Sequence, residues 1–214
     1  WSKIQCRFID LSVNSAGEEQ IELLSRAIET DGESDKISET ATEVADIVRL
    51  KRPNTSLRMA DMLADCWPLH PVTACLLGPI SKRRFGQNQR SLFGFLNSAE
   101  ASGFQEFLDT DVTDGLYKPA LLWNYLRTNL EPAILSSPDG HRWALAAESL
   151  DRCEAQGAPE LEVDLLKTIA LIDIFKEQSG LTSSVPLLNL CFQPEYSSKQ
   201  IAKALQQLTK QSLA

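Results

Sequence analysis

The sequence is poor in the groups that most catalytic and metal-binding chemistry needs. Two histidines, His70 and His141, stand in 214 residues, too few for a histidine-rich metal site. No G-x-x-x-x-G-K-[ST] occurs, and Gly78-Pro79-Ile80-Ser81-Lys82 has neither the spacing nor the flexible loop that wraps phosphates. G-x-S-x-G and H-E-x-x-H are absent too. Ten Gly and ten Pro exclude a collagen-like or low-complexity chain. The five cysteines are odd in number, scattered, and form no Cys-x-x-Cys. That argues against a disulfide framework and for reduced thiols in a cytoplasmic protein, most of them small buried hydrophobes. The longest uncharged stretch, Gln178 to Pro194, is rich in Ser, Gln and Thr, so no helix is expected to span a bilayer. Trp1–Asp10 has no charged-then-apolar signal peptide. With Trp1 in place of an initiating Met, the chain reads as a piece of a longer protein.

Bases are also in deficit, 21 against 29 acids, for a formal charge of −8. Such a surface does not suit non-specific coating of nucleic acid. With 43% apolar and 23% charged residues, the composition is that of an ordinary globular chain. Its length supports one sizeable core or two small subdomains. The charge is unevenly spread. Residues 1–50 carry 5 bases and 11 acids, residues 51–99 carry 7 and 2, and residues 100–214 carry 9 and 16. A basic middle therefore lies between acidic flanks.

Ile4 to Val13 alternates imperfectly and meets a turn at Asn14–Gly17, which predicts one strand whose partners lie elsewhere. Beyond it the apolar spacing is helical. Helices are expected over Glu18–Thr30, Ile37–Leu50 and Ser56–Cys66, then Val72–Arg84 with a kink at Gly78-Pro79. Further ones are expected over Asn88–Ala99, Phe104–Leu108 and Leu121–Leu135, the last kinked or split at Pro132. His141–Gln156, Glu160–Gln178, Val185–Phe192 and Ser197–Gln211 complete the set. No period of 20 to 50 residues recurs, which argues against a solenoid.

The last three helices stand in an order that suggests a helix-turn-helix or an incomplete winged helix, or equally a plain three-helix cap. Ser197 and Gln200 match a capping box. Ile201, Ala204, Leu205 and Leu208 make an inner stripe, while Lys199, Lys203 and Lys210 can face outward and meet DNA phosphates.

Among chemistry-bearing residues, Cys66, His70 and Cys75 could in principle hold zinc with a remote fourth ligand. Their spacing fits no familiar zinc pattern and Pro68 and Pro71 set their backbone, so His70 is read as packing or capping at a helix start. Asp139-Gly140-His141 reads as a helix start, since no partnered nucleophile can be named. The distinctive stretch is Ser81 to Phe93. Lys82, Arg83, Arg84 and Arg90 stand in it with no acid, beside Gln, Asn, Ser and aromatics, and Gly86 lets the chain turn. Arginine suits contact with phosphate or carboxylate; the plainer alternative is a solvated basic loop.

Leu69-His70-Pro71-Val72-Thr73, Gln87-Asn88-Gln89-Arg90-Ser91-Leu92-Phe93-Gly94-Phe95-Leu96, Leu122-Trp123-Asn124-Tyr125-Leu126 and Pro138-Asp139-Gly140-His141-Arg142-Trp143 resemble segments of large bacterial ATP-binding proteins. These are P-loop NTPases of the AAA+ or ORC-like kind, some from phage-defence operons. The resembling region follows the nucleotide-binding core in that family. One position departs: Gln89 stands where the family usually has Glu, so a charge-dependent role does not carry over. The Walker motifs have no counterpart here.

The resemblance implies a non-catalytic lid or regulatory region of a larger ATPase. ATP and Mg²⁺ would belong to the parent protein, with no cofactor in this chain and no membrane contact. Its partners would be the ATPase core and neighbouring subunits. A DNA- or protein-binding helical module is the alternative. The fold class expected is mainly α: a terminal strand over 1–16, a helical bundle over 17–156 and a winged-helix-like unit over 157–214. Arg90 is the first candidate to face the nucleotide or a neighbouring subunit. It would be locked by Leu92, Phe93 and Leu96, with Arg83, Arg84 and Lys82 next. Arg83 and Arg84 could instead complement the negative end of their helix.

Overall fold

Nearly every stretch with a 3.6-residue apolar period forms a helix. The computed structural model describes residues 17–29, 33–83, 92–110 and 115–211, which hold eleven α-helices and no strand. They are α1 (Glu18–Ala27), α2 (Ser38–Lys51), α3 (Met59–Ala64), α4 (Pro71–Lys82), α5 (Leu92–Leu96) and α6 (Phe104–Asp109). Then come α7 (Pro119–Leu135), α8 (Gly140–Ala155), α9 (Glu160–Ser179), α10 (Val185–Phe192) and α11 (Ser198–Lys210). A 3-10 turn, Glu33–Ile37, precedes α2. The strand expected over 1–16 lies outside the described residues, as do Arg84 and Arg90.

Amphipathicity decides position. In α2, Ala41, Val44, Ala45 and Val48 form one buried stripe, and the helix lies at the edge against α3. α4 and α9 are different: every residue from Pro71 to Ile80 is buried, and α9 buries eleven positions from Glu162 to Ser179. A helix that is apolar nearly all round belongs inside. Accordingly α9 packs on α4, α7, α8 and α11. One continuous cluster of buried side chains runs from Ile21 to Leu208.

Three joints orient the remaining elements. A bridge between Leu69 and Tyr117 ties the start of α4 to the start of α7: Tyr117 N donates to Pro68 O (2.8 Å), and Tyr117 O accepts from His70 N (3.2 Å) and Thr73 Oγ1 (2.8 Å). Around the Tyr117 ring gather Phe95, Phe104 and Phe107, with centroids 5.3 to 6.0 Å away. The α7–α8 corner rests on Trp123 and Trp143, stacked at 4.0 Å and both fully buried. Trp143 Nε1 donates to Glu131 Oε1 (2.9 Å), while Trp123 Nε1 is buried without an acceptor.

Several boundaries differ from the sequence reading. Pro132 does not split α7, which runs through to Leu135; the proline removes only one donor near the last turn. The Ser56–Cys66 helix contracts to Met59–Ala64, and Leu57, which the longer range would include, is 85% exposed. The expected lock at α5 also changes. Phe93 is 46% exposed, and Phe95 and Leu96 are the buried pair. Phe95 rather than Phe93 faces Tyr117 and Tyr125.

Candidate functional site

The basic segment departs from the end of α4. Lys82 occupies the last turn there and is exposed, while Arg83 is the C-cap, with extended backbone. The Arg83 side chain spans to Asp139, 56 residues on, at the N-cap of α8. Nη2 donates to Oδ1 at 3.2 Å, and Nε sits 2.9 Å from Oδ2 as a charge contact not aligned for a hydrogen bond. The Asp139 side chain is 8% exposed and that of Arg83 28%. The carboxylate thus has both a cation and the positive end of α8 beside it. Of the four predicted basic residues, Lys82 and Arg83 are seen at one corner; Arg84 and Arg90 lie outside the described residues.

The second predicted set sits elsewhere. Ser197 caps α11 with the expected box: its Oγ accepts from Gln200 N (3.4 Å), and Gln200 Oε1 accepts from Ser197 N (2.9 Å). Ile201, Ala204 and Leu208 turn inward against α9 and α10, and Lys199, Lys203 and Lys210 are exposed. No acid lies on α11.

The buried titratable groups hold the fold. His70 caps α4: Nδ1 accepts from Val72 N (3.2 Å), and Nε2 faces Leu190 O at 3.1 Å. One acceptor and one donor are what a neutral ring with its proton on Nε2 supplies. Burial lowers the His70 pKa to about 4. The Cys66 thiol donates to Met62 O (3.2 Å), and burial raises its pKa. Cys75 and Cys191 are pushed up to about 12 by the same cause. Such thiols are poor nucleophiles and poor metal ligands. Among the described residues no three His, Cys, Asp or Glu side chains gather as a metal would need. Nor is any described helix long and apolar enough to cross a membrane.

Sequence reasoning missed two groups: Asp139 as the partner of Arg83, and Arg52, which crosses from α2 to the end of α9. An Asp before a helical Gly looks the same whether or not an arginine reaches it, and Arg52 is one of several bases in its block. Neither had a local signal. Compared with known proteins, the chain matches no family model, no curated relative and no solved structure.

Proposed function

We propose that this chain is a non-catalytic helical lid and regulatory region of a larger cytoplasmic P-loop NTPase. The observation that carries the reading is the corner at the end of α4. Arg83, held on Asp139, gives the basic run from Lys82 to Arg90 a fixed root on the bundle. A cation that stabilises charge on a transferring phosphoryl group acts through fixed geometry rather than reach. In this reading Arg90 faces the nucleotide or a neighbouring subunit, Arg84 and Lys82 add positive potential, and Arg83 serves as the anchor. In this reading residues 1–16 lead from the ATPase core, which supplies the P-loop, ATP and Mg²⁺. Support also comes from the resemblance of four sequence segments.

The test is kinetic. In the full-length ATPase, Arg90→Ala should cut turnover at least tenfold and leave the melting temperature unchanged. Measurable ATP hydrolysis by the 214-residue chain alone would defeat the reading. So would normal turnover per folded molecule in Arg90→Ala with a large loss of stability.

One observation favours a second reading, a DNA-binding unit with winged-helix character formed by α9, α10 and α11. The outer face of α11 carries three exposed lysines and no acid. Replacing Lys199, Lys203 and Lys210 by Glu should then abolish salt-sensitive DNA binding. Unchanged binding would refute it.

A further inference from the structure

Arg52 follows α2, and its guanidinium is held by the opposite end of α9. Its Nη2 donates to the carbonyls of Glu177 (3.0 Å) and Gln178 (2.7 Å), two of the last acceptors of that helix. Glycines make the room for this crossing. A Cβ at Gly17 would lie 3.3 Å from Nη1, and one at Gly180 would lie 3.1 Å from Nε. Gly180 also holds φ +75°, where any other residue would be strained.

So fixed, Arg52 forms one wall of a cleft of about 470 Å³, the size of a small-molecule site. Its apolar lining residues are Ile21, Val48, Met59 and Cys75, each of which is buried and shows only an edge to the cleft. Around the rim stand Lys51, Asn54, Gln178 and Glu18. Some of the polar groups are already engaged. Glu18 Oε1 accepts from Ser56 N (3.0 Å), Thr55 Oγ1 donates to Arg52 O (2.7 Å), and Ser179 Oγ accepts from Leu181 N (3.2 Å). The Arg52 Nη1, the Lys51 ammonium and the Asn54 and Gln178 amides have no protein partner among the described residues. A smaller cavity of about 180 Å³ shares Gly17, Arg52 and Gln178 and extends to Lys82 and Glu177. In the larger cleft Lys51 and Arg52 stand with one carboxylate, Glu18, whose Oε1 already accepts from Ser56 N.

We propose that this cleft binds a small organic anion, with its carboxylate or phosphate on Arg52 and Lys51 and its apolar body over Ile21, Val48, Met59 and Cys75. Arg52 is already ordered by the α9 carbonyls, so binding costs it little side-chain freedom. The apolar edges of these residues offer contact that a bare ion cannot use. This inference stands independently of the ATPase reading.

The experiment is calorimetric titration of the 214-residue chain with four probes. AMP and octanoate each combine an anion with an apolar body; inorganic phosphate lacks the body and adenosine lacks the charge. AMP or octanoate should bind with Kd below about 1 mM, and phosphate and adenosine at least about tenfold more weakly. AMP alone identifies a phosphate ester as the ligand class; octanoate alone identifies a carboxylate. Lys51 has no partner among the described residues, so Lys51→Gln should keep the melting temperature and weaken binding about fivefold or more. The chain's two methionines, Met59 and Met62, localise the event. The methyl resonance of Met59 should shift with the probe, and that of Met62, which does not line the cleft, should not. A Kd above about 1 mM for both AMP and octanoate, an unchanged Kd in Lys51→Gln, or an unmoved Met59 signal would each overturn the proposal.

Discussion

Replacing Arg83 by Met removes the charge that faces Asp139 and keeps most of the side-chain stem. The cost follows from where the pair sits. Breaking a fully buried ion pair by deleting one partner costs about 3–5 kcal/mol, and losing an exposed pair about 0–1 kcal/mol. With Asp139 8% and Arg83 28% exposed, this pair falls between. Two features pull it below the buried limit: water already reaches the guanidinium, and the stranded carboxylate keeps the positive end of α8. A loss of about 2 kcal/mol is therefore expected for Arg83→Met. Asp139→Asn leaves the mobile arginine free to reach solvent, and should cost about 1 kcal/mol. The double variant should cost less than the sum by about 1 kcal/mol, since the partner is no longer left unpaired. Urea unfolding followed by tryptophan fluorescence measures all three, provided the slopes with urea agree. An Arg83→Met within 0.5 kcal/mol of the parent, or strictly additive losses, would refute the anchor argument.

Two more expectations rest on the same geometry. His70 has its pKa lowered to about 4 by burial, against 6.5 when unfolded, so as pH falls the unfolded chain takes the proton first. Stability should be full above about pH 6.5 and fall progressively towards pH 4, by at most about 3 kcal/mol. His70→Asn, which keeps an acceptor for Val72 N, should lack that component; identical pH profiles of the urea midpoint would contradict it. Gly140→Ala places a Cβ 2.1 Å from Leu135 O and 2.7 Å from its carbonyl carbon, and backbone cannot rotate away. A drop of about 5 °C or more in Tm is expected by differential scanning calorimetry, and an unchanged Tm would show that the corner yields.

Helix identity was largely legible in the amino-acid order, because it is set by neighbours three and four positions apart. The buried stripe of Ala41, Val44 and Val48, the capping box of Ser197 and Gln200, and the near-continuous apolar surface of α9 can all be read without a fold. Two errors came from over-extending a periodicity: Leu57 and Phe93 continue a pattern on paper, yet both are exposed, Leu57 ahead of its helix and Phe93 within one. The site was legible only in part. A dense basic stretch announces itself by composition, and His70 beside Pro71 announces a helix start. What the tertiary structure alone decided is which groups meet: Arg83 with Asp139 across 56 residues, Arg52 with the α9 carbonyls across 125 and 126, and Trp123 with Trp143 on adjoining helices. Those meetings depend on how helices are docked, and docking is chosen by total buried surface rather than by the spacing within any one helix. A charge, an indole or a free amide carries no local mark of the partner that packing brings to it.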